Sequence, residues 1–397
     1  VEMPDTLEII GIDAFHSCYR LTEVEFPENL GTIGAYAFNS CSGIKTMSLP
    51  DSLKTIGNYA FAGCTTWVSE NFSLPKNLTQ LGQSAFFRCL NFTGTLEFPS
   101  TFTQVPAACF GETAFTEVKL PDTVTVIGNS AFEHCLNLEK INMPTSLKTI
   151  QYEAFENCTK LTGDLKFPDT CTALGDRAFQ NCTGFNGKLT IGANLGSIGQ
   201  NVFFGCTGFK EAEIESGVMK KVGSSMFSNC TGLEKVILDD SITVIDEFAF
   251  QACTGLKEIP TNGKIRTIGN YAFQGCTGLA TLKFSSSVES LGQYAFQNCI
   301  GITGDLTIPD TIKSIGANAF NNCTGINGTL QIGKGLERIS KFTFYGCPNV
   351  EKVIIPNTVK IVENFSFWGI SDVYYLGTEE EVEFSSAAGG SNELFVH

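Results

Sequence analysis

The chain has 397 residues and a formal net charge of −15, from 26 basic and 41 acidic side chains. That balance lacks the clustered Lys and Arg that nucleic acid or an anionic lipid surface demands. With 43% hydrophobic and 17% charged residues, the composition argues against long disordered tracts, and no apolar run approaches the roughly 18 residues of a membrane span.

Length alone suits two or three globular domains, yet 40 glycines, 33 phenylalanines and 16 cysteines are spread evenly rather than clustered. The chain opens on Val1-Glu2-Met3-Pro4 inside a repeat, with no signal peptide, and so reads as mature or trimmed. The first anchor is Ala14-Phe15 with Cys18, then Ala37-Phe38 with Cys41 and Ala60-Phe61 with Cys64. The later anchors are Phe86, Phe110, Phe132, Phe155, Phe179, Phe203, Phe227, Phe250, Phe273, Phe296, Phe320, Phe344 and Phe367, at spacings of 22 to 25 residues. No gap is large enough for a second domain. About sixteen repeats fill residues 1–376, and residues 377–397 read as a C-terminal cap of the same domain.

One repeat shows the elements in order: Leu138-x-x-Ile141-x-Met143-Pro144, Leu147-x-x-Ile150, then Ala154-Phe155-x-x-Cys158. Alternation through Met143 predicts a short strand, which proline ends because it donates nothing to a ladder. A second short extended piece follows. A glycine (Gly34, Gly57, Gly82, Gly128) suits the corner after it, and Ala-Phe-x-x-Cys predicts one helical or 3₁₀ turn. Stacking such units buries their apolar stripes as ladders of like residues, with parallel strands about 4.8 Å apart. Five repeats carry an extra residue with glycine (Gly94, Gly163, Gly187, Gly304, Gly328), which predicts a bulge. The fifth repeat is irregular around Cys109-Phe110-Gly111, and the stretch Cys158–Ile198 returns as Cys299–Ile339.

The compound pattern Leu-x-x-Ile-x-Ile-Pro-x-x-Leu-x-x-Ile-Gly-x-x-Ala-Phe-x-x-Cys resembles the BspA-like, or Treponema-type, leucine-rich repeats over essentially the whole chain. The ending Val373-Tyr374-Tyr375-Leu376-Gly377-Thr378-Glu379-Glu380 resembles the C-terminal ending common there, with Glu393–His397 as a strand over the open end. The resemblance implies a right-handed leucine-rich-repeat superhelix, with parallel strands on the concave face and short extended and helical or 3₁₀ turns opposite. It also implies a bacterial cell-surface or secreted protein that adheres to a host matrix protein, another microbial surface protein or a glycan.

Fourteen of the 16 cysteines share one repeat position, Cys109 and Cys171 being the exceptions. Equivalent positions in stacked strands hold Cβ atoms about 4.8 Å apart with parallel vectors, whereas a disulfide wants about 3.8 Å. The cysteines therefore read as small buried hydrophobes; Ile370 and Thr113 take the same slot elsewhere. Ligands on separate repeats do not converge on one metal ion. His16 and His134 lie in turn positions and His397 at the terminus, so no positioned imidazole suggests nucleophilic catalysis. Asp239-Asp240 and Glu379-Glu380-Glu381 read as solvated charges, and Asn-Cys-Thr triplets at Asn157, Asn181, Asn229 and Asn322 read as repeat consensus. No enzyme and no cofactor is expected.

The polar position inside each first strand points outward. Eight members of that row are the candidate ligand-binding residues: Glu25, Glu97, Lys119, Asn142, Lys166, Glu213, Lys283 and Gln331. The row also holds Ile237, Pro260 and Ile354, but no aromatic cluster of the kind that anchors interfaces. The leading expectation is a non-enzymatic binding or adhesion module with a protein or glycan partner. The alternative is a structural stalk presenting a domain absent from this chain.

Overall fold

The computed structural model describes residues 2–70, 72–215, 217–378, 381–385 and 394–396. The chain folds as two compact units, residues 1–186 with 194–203, and residues 187–193 with 204–397. Both units are parallel β-solenoids, with anchors Phe15 to Phe203 in the first and Phe227 to Phe367 in the second.

Most repeats contribute two short strands. In the first unit the second strands form two ladders: Ile9–Ile10, Thr32–Ile33, Thr55–Ile56 and Gln80–Leu81, then Gln104–Val105 through Ser197–Ile198. The first strands pair in shorter runs, such as Thr95–Glu97, Glu117–Lys119 and Lys140–Ile141. In the second unit Lys188–Ile191, Glu211–Ile214 and Lys235–Leu238 lie side by side in register, and a separate ladder begins at Gly304–Thr307. Leu394–Val396 pairs in parallel with Val373–Leu376, and Glu383–Phe384 with Ile361–Val362. Residues 379, 380, 393 and 397 lie outside the described residues. Of the five expected bulges, Gly94, Gly163 and Gly304 take left-handed backbone (φ 79°, 85° and 78°), and the register shifts beside Gly304.

The Ala-Phe-x-x-Cys segment is where the structure departs from the sequence reading, since it forms neither an α-helix nor a 3₁₀-helix. The residues two before and two after each anchor phenylalanine have left-handed backbone, as at Tyr36 (φ 56°) and Ser40 (φ 59°). A helix would aim every N–H along its own axis. Here every second N–H is turned sideways: those of Asp13, Phe15 and Ser17 donate to the carbonyls of Ala35, Ala37 and Asn39 in the next repeat, at 3.0, 2.7 and 2.7 Å. The intervening N–H groups close locally, His16 to Asp13 and Cys18 to Phe15. The left-handed requirement also explains the Asn-Cys consensus, because asparagine tolerates that backbone; Asn157, Asn181, Asn298 and Asn322 have φ of 58° to 61°.

Bulky residues in that conformation carry strain. Several offset it by stacking: Phe248, Tyr271 and Tyr294 lie ring on ring with centroids 4.7 Å apart, and Tyr36 and Tyr59 at 4.9 Å. The corner glycines serve another need, since none of Gly34, Gly57, Gly82 and Gly128 has positive φ. A Cβ on Gly57 would lie 2.4 Å from the Ala35 nitrogen, so what calls for glycine there is close approach of successive repeats.

Inside, the anchor phenylalanines stack as a spine. Centroid spacings run from 4.9 Å (Phe15–Phe38) to 6.1 Å (Phe110–Phe132) in the first unit and from 5.2 Å (Phe320–Phe344) to 5.6 Å (Phe344–Phe367) in the second. Trp67 is buried against Phe72 and Phe92, and its Nε1 donates to the Met47 carbonyl at 3.1 Å. All sixteen cysteines are free thiols. Their slot has a polar task as well as an apolar one: Cys41 Sγ donates to the Phe15 carbonyl at 2.9 Å, Cys158 to Phe132 at 3.1 Å and Cys253 to Phe227 at 3.0 Å. Thr113 differs in its partner, its hydroxyl donating to the anchor carbonyl of its own repeat, Phe110, at 2.8 Å. Burial pushes these thiols up, Cys135 to about 11 and Cys276 to about 12.

Two outcomes follow. Ala252 sits at a left-handed position (φ 56°) that is glycine in the next repeat, Gly275. Ala252→Gly therefore raises the unfolding free energy by about 1 kcal/mol in chemical denaturation, through relief of backbone strain. Thiol labelling of the native protein modifies Cys18, the only exposed cysteine, while all sixteen react once the chain is denatured.

Candidate binding surface

The outward row of first-strand residues is solvated in both units. Glu25, Glu97, Lys119, Asn142, Lys166 and Lys283 are exposed, while Glu213 and Gln331 are half-buried. Strand pairing sets their spacing, with Glu97 opposite Lys119 and Glu213 opposite Ile237. The row does not converge on a point, and its members instead engage their neighbours. Lys119 Nζ lies 2.7 Å from Glu97 Oε1, and that carboxylate holds the amine above its ordinary value. Lys188 binds both Glu211 (3.2 Å) and Glu213 (2.6 Å). Asn142 splices its amide into the ladder, accepting from the Leu120 N–H and donating to the Leu120 carbonyl, both at 2.8 Å.

Beside this row runs a second one that sequence reasoning missed. Two residues upstream on each strand, Glu117, Lys140 and Asp164 alternate in sign in the first unit, and Lys188, Glu211, Lys235 and Glu258 in the second. Opposite charges directly across a pair stabilise register. Charge at a 23- or 24-residue offset was the available signal.

The strand ladder of the second unit stops after Lys235–Leu238 and resumes at Gly304–Thr307. In the next repeat Pro260 holds the place of Ile237, and proline has no N–H to donate. An open depression of about 290 Å³ lies there, lined by residues that include Ile237, Ile259, Pro260, Lys235, Glu258 and Lys283.

The turn face carries the titratable groups. His16 Nδ1 meets Asp13 at 2.8 Å. His134 lies between Glu133 (Nδ1, 3.1 Å) and the Asn157 amide (Nε2, 3.1 Å). Cys135, next to His134, is buried and donates its thiol to the Phe110 carbonyl. Hydrogen bonds from the Ser241 hydroxyl and then from its N–H, the latter at 2.8 Å, hold the Asp239 carboxyl below the usual range. The structure adds one cluster that the sequence reading overlooked: carboxylate oxygens of Glu133, Glu153 and Glu156 all lie within 4.8 Å of one another. These are hard oxygen donors of the kind calcium takes, but Arg177 already pairs with Glu153 at 3.0 Å and the Gln180 amide donates to Glu156 at 2.9 Å. Burial, then the charges of Glu153 and Glu133, push Glu156 up to about 7. Glu133 and Glu156 follow their anchor phenylalanines directly, in adjacent repeats, so the like-charge stack is visible once the columns are aligned.

Parallel ladders, a phenylalanine spine and an outward strand row define a leucine-rich-repeat solenoid, a class that generally serves as a protein-interaction module and is typically a non-enzymatic binding scaffold. The BspA type leucine rich repeat region family, six copies long, matches residues 1–106, 68–186, 183–303 and 302–387, and the chain belongs to it. A leucine-rich repeat protein from Bacteroides ovatus is similar at 26% identity and a TM-score of 0.64, over 95% of this chain and 87% of that one. A leucine rich cell surface protein from Faecalibacterium prausnitzii shows 22% identity over 73% of this chain and 89% of that one, with a TM-score of 0.37. The T. pallidum leucine rich repeat protein shows 22% identity over 47% of this chain and 77% of that one, at 0.36. No curated protein matches the chain. Among the described residues no helix is long and apolar enough to cross a membrane.

Glu156 yields a test with a defined sign. Its folded value, about 7, lies above the unfolded carboxylate value near 4.3. The folded state therefore binds the proton more tightly, and its contribution to stability is full below pH ~4.3 and lost as pH rises through about 7. Glu156→Gln, the residue that Gln180 supplies one repeat later, raises the melting temperature above pH 7 and flattens its fall between those values. An unchanged thermal pH profile counts against the shared-proton cluster.

Proposed function

We propose that this chain is a non-enzymatic binding module, displayed at a cell surface or secreted, that engages a protein or glycan partner through its strand face. One observation carries the reading. At the break in the second unit's ladder, the half-buried Ile237 lies beside the buried Pro260 as a small apolar centre, with Lys235, Glu258 and Lys283 exposed around it. An apolar centre inside a charged rim is the anatomy of a protein interface. In the same unit Lys188 with Glu211 and Glu213 offers paired charges, suited to steering and register more than to raw affinity. On the turn face His16 pairs with Asp13, His134 with Glu133 and Arg177 with Glu153. The description of the Faecalibacterium relative as a cell surface protein agrees with display outside the cell but does not carry the reading.

The test is capture of the purified chain on immobilised host matrix proteins, microbial surface proteins and glycans. For any partner found, Ile237→Glu weakens binding at least about tenfold, a change of about 1.4 kcal/mol, whereas Gln274→Ala on the turn face leaves it unchanged. Absence of binding across all three panels, or capture indifferent to Ile237→Glu, overturns the assignment to this face. The first of these outcomes favours a stalk that presents another domain.

A further inference from the structure

The fourth and fifth repeats of the first unit differ from their neighbours in one respect that the repeat pattern does not require. In the neighbouring repeats of this unit the corner residue after the second strand donates its N–H to the preceding repeat: Gly57 to Ile33 at 2.8 Å, Gly82 to Ile56 at 2.9 Å, Gly128 to Val105 at 2.9 Å and Gln151 to Ile127 at 2.9 Å. In the fifth repeat the corner is Pro106, which has no N–H. The residues just before it also miss their partners. Thr79 and Gln80 both donate to the Lys54 carbonyl at 3.0 Å, and Thr125 to Thr103 at 2.8 Å. Among the described residues, however, neither Thr103 nor Gln104 donates its N–H to Thr79. The two ladders of second strands accordingly end at Gln80–Leu81 and restart at Gln104–Val105.

The result is a half-open cleft of about 410 Å³ across three repeats, within the range of small-ligand sites. None of its thirteen lining residues is charged, and seven carry a hydroxyl or an amide: Thr55, Thr79, Thr101, Thr103, Asn58, Gln80 and Gln104. The backbone adds the N–H groups of Thr103 and Gln104 and the carbonyls of Thr79 and Leu81, between which no hydrogen bond forms among the described residues. Phe102 lines the cleft but is buried, so no broad apolar wall is offered.

We propose that this cleft is a binding site for a neutral sugar unit of a glycan. An anion would require a cation, and none lines the cleft. An apolar ligand would leave the unpaired N–H and carbonyl groups unsatisfied, at a cost of about 1–3 kcal/mol each. An extended peptide could meet the backbone groups, but finds no apolar pockets for alternate side chains. A pyranose carries hydroxyls that both donate and accept at short spacing, and so matches alternating N–H, C=O, amide and hydroxyl groups without a charge. The site is independent of the strand-face reading: it lies on the second-strand ladder and shares no residue with that row.

The experiment is ¹H–¹⁵N NMR titration of the full chain with maltose, lactose and cellobiose at millimolar concentrations, alongside an uncharged extended peptide and sodium sulfate. The expected result is saturable shifts for at least one disaccharide, centred on Thr79, Gln80, Thr103 and Gln104, with none from sulfate. Gln104→Leu weakens binding at least about tenfold. Pro106→Gly restores the corner N–H, lets the ladder close and abolishes binding, with the backbone spectrum elsewhere unchanged. Should Pro106→Gly misfold, Gln104→Leu and the shift map decide alone. Absence of shifts with all three sugars, shifts only from the peptide or from sulfate, or sugar shifts indifferent to Gln104→Leu each overturn the proposal. Because Ile237→Glu leaves this cleft untouched, capture lost on that substitution with no sugar shift refutes the cleft alone. Sugar binding without strand-face capture refutes the other reading alone.

Discussion

The fold of each unit depends on one hydrogen bond repeated along it: the N–H of an anchor phenylalanine donates sideways, to the carbonyl just before the next anchor. Phe15 reaches Ala37 at 2.7 Å, Phe155 reaches Ala178 at 2.8 Å and Phe273 reaches Ala295 at 2.8 Å. This bond forms only because the residues on either side are held left-handed, at a backbone cost that burial and stacking must offset. It also favours a small residue before the phenylalanine, since that residue's carbonyl must approach the neighbouring repeat. Ala37, Ala60 and Ala295 are fully buried there, and Cys109, Val202, Met226, Thr343 and Ser366 are variants that fit.

Once the N–H groups run between repeats, other features of the consensus acquire causes. Each anchor carbonyl accepts the local N–H of the cysteine three residues on, and its second lone pair is open to the thiol of the next repeat's cysteine. A side chain small, apolar and weakly donating suits that slot, and cysteine meets all three demands. The same frame makes breaks conspicuous. Where proline occupies a donating position, as at Pro106 and Pro260, the repeats still stack through their phenylalanines while one ladder opens. A solenoid can thus change its surface locally at the cost of a few backbone hydrogen bonds, without disturbing its spine.

Much of this was legible from residues alone. The period, the anchor column, the buried cysteines and the outward strand row all follow from spacing, because stacked identical units place like residues in line. The acidic stack of Glu133, Glu153 and Glu156 was legible in part. Glu133 and Glu156 share a column, but Glu153 joins them only because the left-handed backbone at Glu153 (φ 54°) turns its side chain beside theirs. The Pro106 cleft was visible as an irregular repeat, yet nothing in the order of letters said that two ladders end there.

The sequence by itself determined the repeat, its length and the family to which the chain belongs, since a periodic apolar stripe has one economical solution, stacking. Tertiary structure alone decided the form of the Ala-Phe-x-x-Cys segment. Local spacing of three residues fits a helical turn equally well, and only the presence of a neighbouring repeat makes it favourable to send alternate N–H groups sideways. The same holds for the breaks at Pro106 and Pro260: a missing N–H has consequences only where another strand was waiting to receive it.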